Sequence, residues 1–447
     1  MKSVRQPFIL VLLFFFTWSI ASAQNSDADV ANKCITCHQE KTPGLVQQWK
    51  HSKHAENEVG CIDCHGAEKS EPDAFLHEGA YIATLVTPKD CGQCHEKEAM
   101  EEENSYHATA GLILESKDAY LGYVGGGTPV VNVGCESCHG TKVIVDPNSP
   151  NKLSPKSLTN SGIGRINPDG SKGSCTACHT RHSFSVAQAR QPEACGKCHL
   201  GPDHPQEEIY KESKHGNVYY TNKDKMNLNS EEWVVGKDYY EAPTCATCHI
   251  SATRTQGVTH DVGARIKWTL RPPISKTKPN WKQKRNNMKD VCSACHTEKF
   301  IDGHFYQFDA LVRLYDTKFA IPATKIMKMI KKKGLEKSKA NFGNDIDWMY
   351  WELWHHEGRR ARHGAAMMGP DYAWWHGIYD VIHNFYFKFI PAARAYNDKE
   401  VNDYINNLLT KDPMHSWLYK STKDLKGEIR SGELQKIYEK LFTAKEK

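Results

Sequence analysis

The chain has 447 residues, of which 39% are apolar, and a formal net charge of +5. A charge this mild, spread evenly along the chain, argues against nucleic acid as a partner. No run after residue 23 reaches the ~20 apolar residues of a membrane span, so we expect no span in the mature chain. The 16 cysteines are too many for an ordinary cytosolic enzyme and indicate disulfides, metal sites or attached haem.

Residues 1–23 have the pattern of a secretory signal peptide. Lys2 and Arg5 give a positive start, residues 8–16 are mostly apolar, and Ala-Ser-Ala at 21–23 is a small-residue cleavage site. A membrane anchor is the alternative, but the apolar run is too short to span a bilayer well. The pattern predicts a mature chain that starts at Gln24 and is exported to the periplasm or an equivalent extracytoplasmic compartment.

Every cysteine belongs to a five-residue CxxCH motif, and none is left over. In chain order, the two cysteines and the histidine of each motif are Cys34, Cys37 and His38; Cys61, Cys64 and His65; Cys91, Cys94 and His95; Cys135, Cys138 and His139; Cys175, Cys178 and His179; Cys195, Cys198 and His199; Cys245, Cys248 and His249; and Cys292, Cys295 and His296. C-x-x-C-H is the attachment site of c-type haem, in which the two thiols bind the porphyrin and the histidine ligates the iron.

Disulfides and zinc are the alternative interpretations of the cysteine pairs. Neither requires a histidine directly after every pair, although zinc also uses CxxC pairs. The sequence therefore predicts eight covalently bound haem c groups. Their apolar rings would supply the core that the side chains lack.

Of the 23 histidines, 15 remain after the 8 of the motifs. Eight bis-histidine haems would use eight of them, whereas one open catalytic haem would reduce the number to seven, so the count leaves both possibilities open. The candidates whose small or aromatic neighbours let a haem approach are His54, His107, His182, His215, His260, His356 and His376. For each of them, a surface or core position is the alternative.

Residues 24–300 form the predicted octahaem-binding domain. This part is rich in Gly, Pro, Ser and Asn, it shows little strand alternation, and its helical pieces are short. Residues 125–173 carry many loop signals. The motifs begin roughly 20 to 50 residues apart, which predicts haems close enough to relay electrons.

Residues 301–447 form a predicted C-terminal helical region without further motifs. Apolar and aromatic residues recur there at three- and four-residue spacing and predict helices at 303–318, 322–333, 344–366, 372–396, 398–410 and 420–443, with Gly369-Pro370 separating two of them. The fold class predicted is mainly α: a haem-packed multihaem cytochrome c part with little regular strand, followed by long helices. The aromatic helices indicate oligomerisation, with core packing alone as the alternative.

With these motifs, the chain resembles the octahaem hydroxylamine oxidoreductase family. The resemblance rests on the eight CxxCH motifs, the cysteine-free helical region, and the segments at 197–216 and 353–377. It implies seven bis-histidine haems and a catalytic fourth haem with an open distal face, here attached to Cys135 and Cys138 with His139 as its proximal ligand. The chain lacks the CxxCK site that is common in the related ammonia-forming nitrite reductases, which argues against that activity.

The resemblance also implies a distal pocket and a cross-link. The pocket's aspartate, histidine and tyrosine resemble Asp203, His204 and Tyr240, with a surface loop as the alternative for the first two. Oxidation of a nitrogen compound releases protons, and a histidine beside a carboxylate is suited to accept them. A tyrosine that binds the neighbouring subunit's catalytic porphyrin resembles Tyr372, with Tyr379 and simple packing as alternatives.

The family resemblance implies an enzyme that oxidises hydroxylamine to nitric oxide or nitrite, passes electrons to a small cytochrome c-type redox protein, and assembles as a homotrimer. The same chemistry in reverse, reduction of nitrite to nitric oxide or hydroxylamine, is the alternative, and hydrazine dehydrogenation is a third. A pure electron-transfer multihaem cytochrome is the alternative from another functional class.

Overall fold

The computed structural model describes residues 33–157 and 161–443. The predicted signal peptide lies outside these residues. Helix accounts for 58% of the structure and strand for 4%, which confirms the mainly α class. The strands form two antiparallel pairs, Phe75–His77 with Ala80–Ile82 and Trp268–Thr269 with Lys276–Thr277.

The helices before residue 298 are short because a haem motif is itself one helical turn. The second and fourth motifs are complete five-residue helices that end at a following glycine, Gly66 or Gly140. The α-helices of this part are Pro43–Lys50, Lys53–Glu56, Cys61–His65, Pro88–Gly92, Glu96–Glu103, Lys117–Leu121, Gly127–Val133, Cys135–His139, Val186–Arg190, Pro192–Gly196, Gln206–Glu212, Lys214–Thr221, Cys245–His249 and Trp281–Ser293. Residues 33–41 are also helical, and wider or tighter turns occur at Ala110–Glu115, Gly122–Gly126, Cys175–Ala177 and Lys223–Lys225.

The helices after residue 297 are long, as their periodicity predicted, but the single helix predicted at 420–443 is wrong, because Gly432, with a φ of +78°, divides it in two. They are Glu298–Tyr315, Ile321–Lys332, Asp345–Trp351, Gly358–Ala366, Pro370–Ala373, Asp380–Asn384, Ile390–Arg394, Lys399–Lys411, Thr422–Ser431 and Glu433–Thr443, with a tight turn at Ser416–Tyr419. Turns of π-helix at Asp316–Ala320, Glu352–Glu357, Trp374–Tyr379 and Phe385–Phe389 join several of them into continuous rods. The predicted break is present at residues 367–369, where Pro370 opens the next helix.

The largest apolar cluster lies entirely in the second part. It packs buried side chains from residues 315–409, with Phe319, Phe385 and Phe389 at its centre. The first part has a smaller cluster around Trp233 and Tyr239, whose rings stack 4.5 Å apart. Side-chain packing is therefore unevenly divided along the chain.

A buried ion-pair network joins the two parts. Asp309, on helix Glu298–Tyr315, accepts hydrogen bonds from Lys267 at 2.9 Å, Arg285 at 2.8 Å and the Trp268 indole at 2.8 Å. Because this helix runs across residue 300 and packs on both sides, the domain boundary at 300 stays a prediction. In the part of the chain that the structure describes, no helix is long and apolar enough to cross a membrane.

Candidate haem sites and the fourth motif

Each haem motif is folded so that its thiols and histidine share one side. In the third, fifth, sixth and eighth motifs, the histidine amide donates to the carbonyl of the first cysteine at 2.9–3.0 Å, which is one helical turn. All sixteen cysteines are described, and no two of them form a disulfide. The structure therefore does not support the interpretation of the cysteine pairs as disulfides.

Six of the motif histidines face another imidazole across a narrow gap. The ring centroids are 6.0–6.4 Å apart in the pairs His38 with His77, His65 with His182, His95 with His54, His179 with His260, His296 with His215, and His199 with both His107 and His204. Among the described residues, His139 and His249 have no imidazole at this distance.

The gap between these rings has the size that a haem iron needs. Imidazole nitrogens bind a transition metal at about 2.0 Å, so two nitrogens on opposite sides of an iron are roughly 4 Å apart. Each ring centroid lies about 1.1 Å farther out, which gives a centroid separation near 6.3 Å. The residues present therefore fit bis-histidine haems at the six facing motifs.

The thiols show which motifs are neighbours. The side chains of three pairs of cysteines from different motifs lie close enough to shift each other's pKa, namely Cys91 and Cys175, Cys195 and Cys245, and Cys138 and Cys198. Electrostatic interactions join the first motif to the second, the second to the third, the fifth to the sixth and the seventh to the eighth. The motifs thus form a row in the order one, two, three, five, six, seven, eight, and the fourth lies beside the sixth, outside the row.

Backbone of residues 162–164 packs directly against the fourth motif. The amides of Ile163 and Gly164 donate to the carbonyls of Cys138 and His139 at 3.0 Å. Gly140 has a φ of +76°, and a side chain at Gly162 would overlap the Gly140 backbone. Both positions require glycine because two main-chain segments touch there.

A polar cluster lies near His139 in place of a facing imidazole. Asp203 accepts a hydrogen bond from Arg359 at 2.8 Å, and its second oxygen is 3.4 Å from His204 Nδ1. The His355 Nε2 atom is 2.9 Å from Asp118 and 3.9 Å from Asp203. Sequence reasoning found Asp203 and His204 but missed the other members, which come from distant helices.

The charges of this cluster act on the motif and on each other. Burial lowers the pKa of His139. The charge of His204 lowers this pKa further, whereas the charge of Asp203 raises it. Burial lowers the pKa of Arg359 to about 10, so it remains a cation at neutral pH. The carboxylates of Asp118 and Asp203 and the His355 ring lie within 4.8 Å of one another, a spacing suited to a cation, but the Arg359 guanidinium already supplies that positive charge.

Asp118 is held as a carboxylate by its neighbours. Burial by itself raises its pKa, but the hydrogen bond from His355 and the nearby positive charges lower it overall. The His355 side chain is 5% exposed and stacks on Trp351 at 3.8 Å. The cluster is therefore fixed by packing as well as by charge.

The other predicted site residues lie apart from this cluster. Tyr240 is 66% exposed and donates to the Lys237 carbonyl at 2.8 Å, so its role in the pocket stays a prediction. Tyr372 stacks on His376 at 5.3 Å. His376 is half exposed, and its Nδ1 atom is 2.8 Å from Asp371. His356 is next to His355 of the cluster. In the described part of the chain, neither His376 nor His356 faces a motif histidine.

Comparisons with known proteins agree with the motifs. The family model "Seven times multi-haem cytochrome CxxCH" matches residues 167–341, "Cytochrome c7 and related cytochrome c" matches 125–201, and "Cytochrome c554 and c-prime" matches 18–66. A probable nitrite reductase-hydroxylamine oxidoreductase fusion protein of Kuenenia stuttgartiensis is 26% identical, in an alignment that covers 77% of this chain and 49% of that protein. The chain thus spans about half the length of this relative.

Two solved structures have a similar fold. A hypothetical multiheme protein is 27% identical with a TM-score of 0.71, over 82% of this chain and 96% of that chain. The Kuenenia stuttgartiensis reducing HAO-like protein complex is 21% identical with a TM-score of 0.60, over 85% of this chain and 88% of that chain. The architecture described above is therefore shared by other chains of this size.

Proposed function

The chain belongs to the multihaem c-type cytochromes of the hydroxylamine oxidoreductase type, as its motifs predicted, and on that premise we propose that it oxidises hydroxylamine, to nitric oxide or nitrite, at the haem of Cys135 and Cys138. One observation carries the proposal. The fourth motif stands outside the row of motifs, and its histidine has the Asp203 cluster nearby rather than a facing imidazole.

The other motifs relay electrons in this proposal. Eight haems attach to the eight CxxCH motifs, and six of them use the facing histidine pairs described above as axial ligands. We add His77 to the predicted axial ligands because its ring centroid lies 6.1 Å from that of His38. For the sixth haem we assign His107, whose burial lowers its pKa to about 4 and keeps it neutral, and we leave His204 to the pocket of the fourth.

The residues of the pocket manage protons. When bound, the haem supplies the iron that holds the substrate nitrogen and accepts its electrons. Arg359 holds the Asp203 carboxylate by charge and hydrogen bond, and Asp203 orients the neighbouring His204 ring. His204 then accepts, as a general base, protons that the substrate releases.

The reductive direction is the second candidate, and the names of the relatives favour it. One relative is named as a nitrite reductase fusion and one solved complex as a reducing HAO-like complex. The same pocket would then deliver protons to a nitrogen oxide, because proton transfer through Asp203 and His204 is reversible. The alternative product is nitric oxide or hydroxylamine from nitrite.

Assembly and location belong to the same proposal. The helix that carries Tyr372 also exposes Trp374 by 45% and Trp375 by 57%, and buried aromatics dominate binding energy at interfaces. We propose a closed homotrimer in which Tyr372 reaches the neighbouring subunit's fourth haem, in an exported protein that passes electrons to a small cytochrome c-type partner. Linked chains on denaturing electrophoresis that Tyr372→Phe releases would support it, and a native protein that runs as a monomer would favour the reductive direction.

The test of the site compares His204→Ala with the surface control His383→Ala in the purified holoprotein. We expect a high-spin haem signal that shifts when hydroxylamine is added, and turnover that falls by roughly 10²- to 10⁴-fold in His204→Ala only. If the native protein has no high-spin haem, it is an electron-transfer cytochrome and the proposal fails. If His204→Ala converts a low-spin haem to high-spin, His204 is an axial ligand of the sixth haem.

A further inference from the structure

Glu102 is a buried carboxylate without a partner, far in sequence from the fourth motif. Its side chain is 7% exposed, and neither carboxylate oxygen has a hydrogen-bond partner. It packs against Gly173, where φ is +107° and any side chain would overlap the carboxylate. A buried polar group left without a hydrogen bond costs free energy, so the fold retains this carboxylate against a penalty.

The surroundings of Glu102 are the fifth haem motif. The carboxylate acts electrostatically on the thiols of both Cys175 and Cys178. On the same helix, Glu96–Glu103, the preceding Glu101 accepts a hydrogen bond from the His260 amide at 2.8 Å. Since His260 faces the fifth motif's histidine, the two adjacent glutamates both lie at the fifth haem site.

Burial and one neighbouring carboxylate dominate the charge environment of Glu102. Burial raises the pKa of Glu102 to about 7, and the exposed Glu103 on its own helix raises it further. The facing segments carry the two thiols, which become neutral thioethers once haem is attached, and two cations. Lys197 donates to the Ala177 carbonyl within the fifth motif, and Arg165 acts on the Cys175 thiol. No cation among the described residues acts on Glu102 strongly enough to hold it ionised.

We propose that Glu102 is the proton-binding site of the fifth haem, and that it takes up a proton when this haem is reduced. An electron from a neighbouring haem of the chain converts ferric to ferrous iron, and the lost positive charge no longer favours the carboxylate. A proton from water then converts the carboxylate to the acid, so that one electron and one proton arrive together. The inference depends on a haem at the fifth motif and not on the substrate or on the fourth motif.

The sign of the pH dependence follows from these charges. At low pH the protonated Glu102 leaves the ferric haem without an adjacent anion, and the reduction potential is high. At high pH the carboxylate stabilises the ferric state, and the potential falls. A tenfold change in proton activity shifts a one-electron potential by at most about 59 mV.

The experiment is a redox titration of the holoprotein, followed by optical and electron paramagnetic resonance spectra at pH 6 and pH 8. We expect one component whose potential falls with rising pH in the native protein and in Glu103→Gln, and which becomes insensitive to pH in Glu102→Gln. If every pH-dependent component survives in Glu102→Gln, the assignment is wrong.

Infrared difference spectra keep the test decisive if Glu102→Gln fails to assemble. Reduction of the native protein should produce the C=O band of a protonated carboxyl group that shifts in heavy water, and Glu103→Gln should keep it. If native reduction produces no such band, Glu102 does not take up a proton and the proposal is overturned.

Discussion

The two parts of the chain are stabilised by different means. Residues 315–409 bury an apolar cluster of 18 side chains, whereas the largest such cluster before residue 298 has 8. The earlier part instead holds all sixteen thiols and the facing histidine pairs. The long helices are thus built around side chains, and the short ones are built around sites for haem.

The comparison teaches that the cluster at Asp203 depends on both parts. Asp118 and Asp203 come from the haem-binding part, while His355 and Arg359 come from the long helix on the other side. A rigid apolar bundle can hold Arg359 in place, because its helix is fixed by packing rather than by a haem. The proposed pocket is therefore positioned partly by a region that carries no CxxCH motif.

The largest effect should come from withholding haem. In cells that cannot attach haem c, we expect residues 33–296 to lose their fold, because their small apolar clusters cannot compensate for the entropy of ordering the chain. Limited proteolysis with mass spectrometry should show this part degraded while fragments of 298–443 persist. Equal degradation of both parts would show that the helical part also requires haem.

Removing a side chain from the apolar cluster should have the next largest effect. Phe385 is fully buried, so we expect Phe385→Ala to lower the free energy of unfolding by about 4 kcal/mol, measured by denaturant titration with circular dichroism. Phe387, two residues on and 59% exposed, is the matched control, and Phe387→Ala should change it by less than about 0.5 kcal/mol. Similar losses in both variants would place the core elsewhere.

Breaking the ion-pair network between the two parts should lower the free energy of unfolding slightly less than Phe385→Ala does. Asp309→Asn removes the carboxylate that pairs with the buried Lys267 and Arg285, and we expect the free energy of unfolding to fall by about 3 kcal/mol. The same thermal or denaturant unfolding curve checks it, with the exposed Asp403→Asn expected to show no measurable change.

Acid should weaken the same network. Burial by itself raises the pKa of Asp309, but its hydrogen bond and charge interaction with Arg285 lower it overall. A carboxyl whose folded pKa is depressed contributes stability above its unfolded pKa of about 4 and loses it as the pH falls further. Unfolding below about pH 4 should therefore be less steep in Asp309→Asn than in the native protein, and identical slopes would contradict the ion pair.

The smallest effect concerns a hydrogen bond inside the apolar cluster. The Tyr386 hydroxyl is 2.8 Å from His415 Nδ1, and both side chains are buried. Tyr386→Phe should cost about 1 kcal/mol, the usual net value of such a bond, by the same unfolding assay. Tyr419→Phe, at a tyrosine that is 62% exposed, should be neutral; a comparable loss there would mean that the assay reports general effects of tyrosine removal.

Local chemistry explains what the sequence could predict. A CxxCH motif needs only one helical turn, and long apolar periodicity is strong evidence for a helix, so the motifs and the helices after residue 297 were predictable. The helix break at Gly369-Pro370 has the same local origin, since a proline opens the following helix.

Non-local packing explains what it could not. His77 faces His38 from a short hairpin, and nothing around His77 in the sequence marks it. His355 and His356 are adjacent, yet only His355 bonds to Asp118. Tyr239 and Tyr240 are also adjacent, but Tyr239 stacks on Trp233 while Tyr240 lies at the surface, and which neighbour turns inward is decided by the fold.

The position of the fourth motif beside the sixth has a consequence for timing. In the proposed oxidation, an electron that passes from the fourth haem to the sixth could leave in either of two directions, through the fifth motif towards the first or through the seventh to the eighth. Successive electrons from one substrate molecule could therefore leave the sixth haem in different directions, so that the second need not wait for the first to move on. The row of haems would then store electrons during an oxidation and release them later to the redox partner. Substrate and redox partner would therefore not need to be bound at the same time.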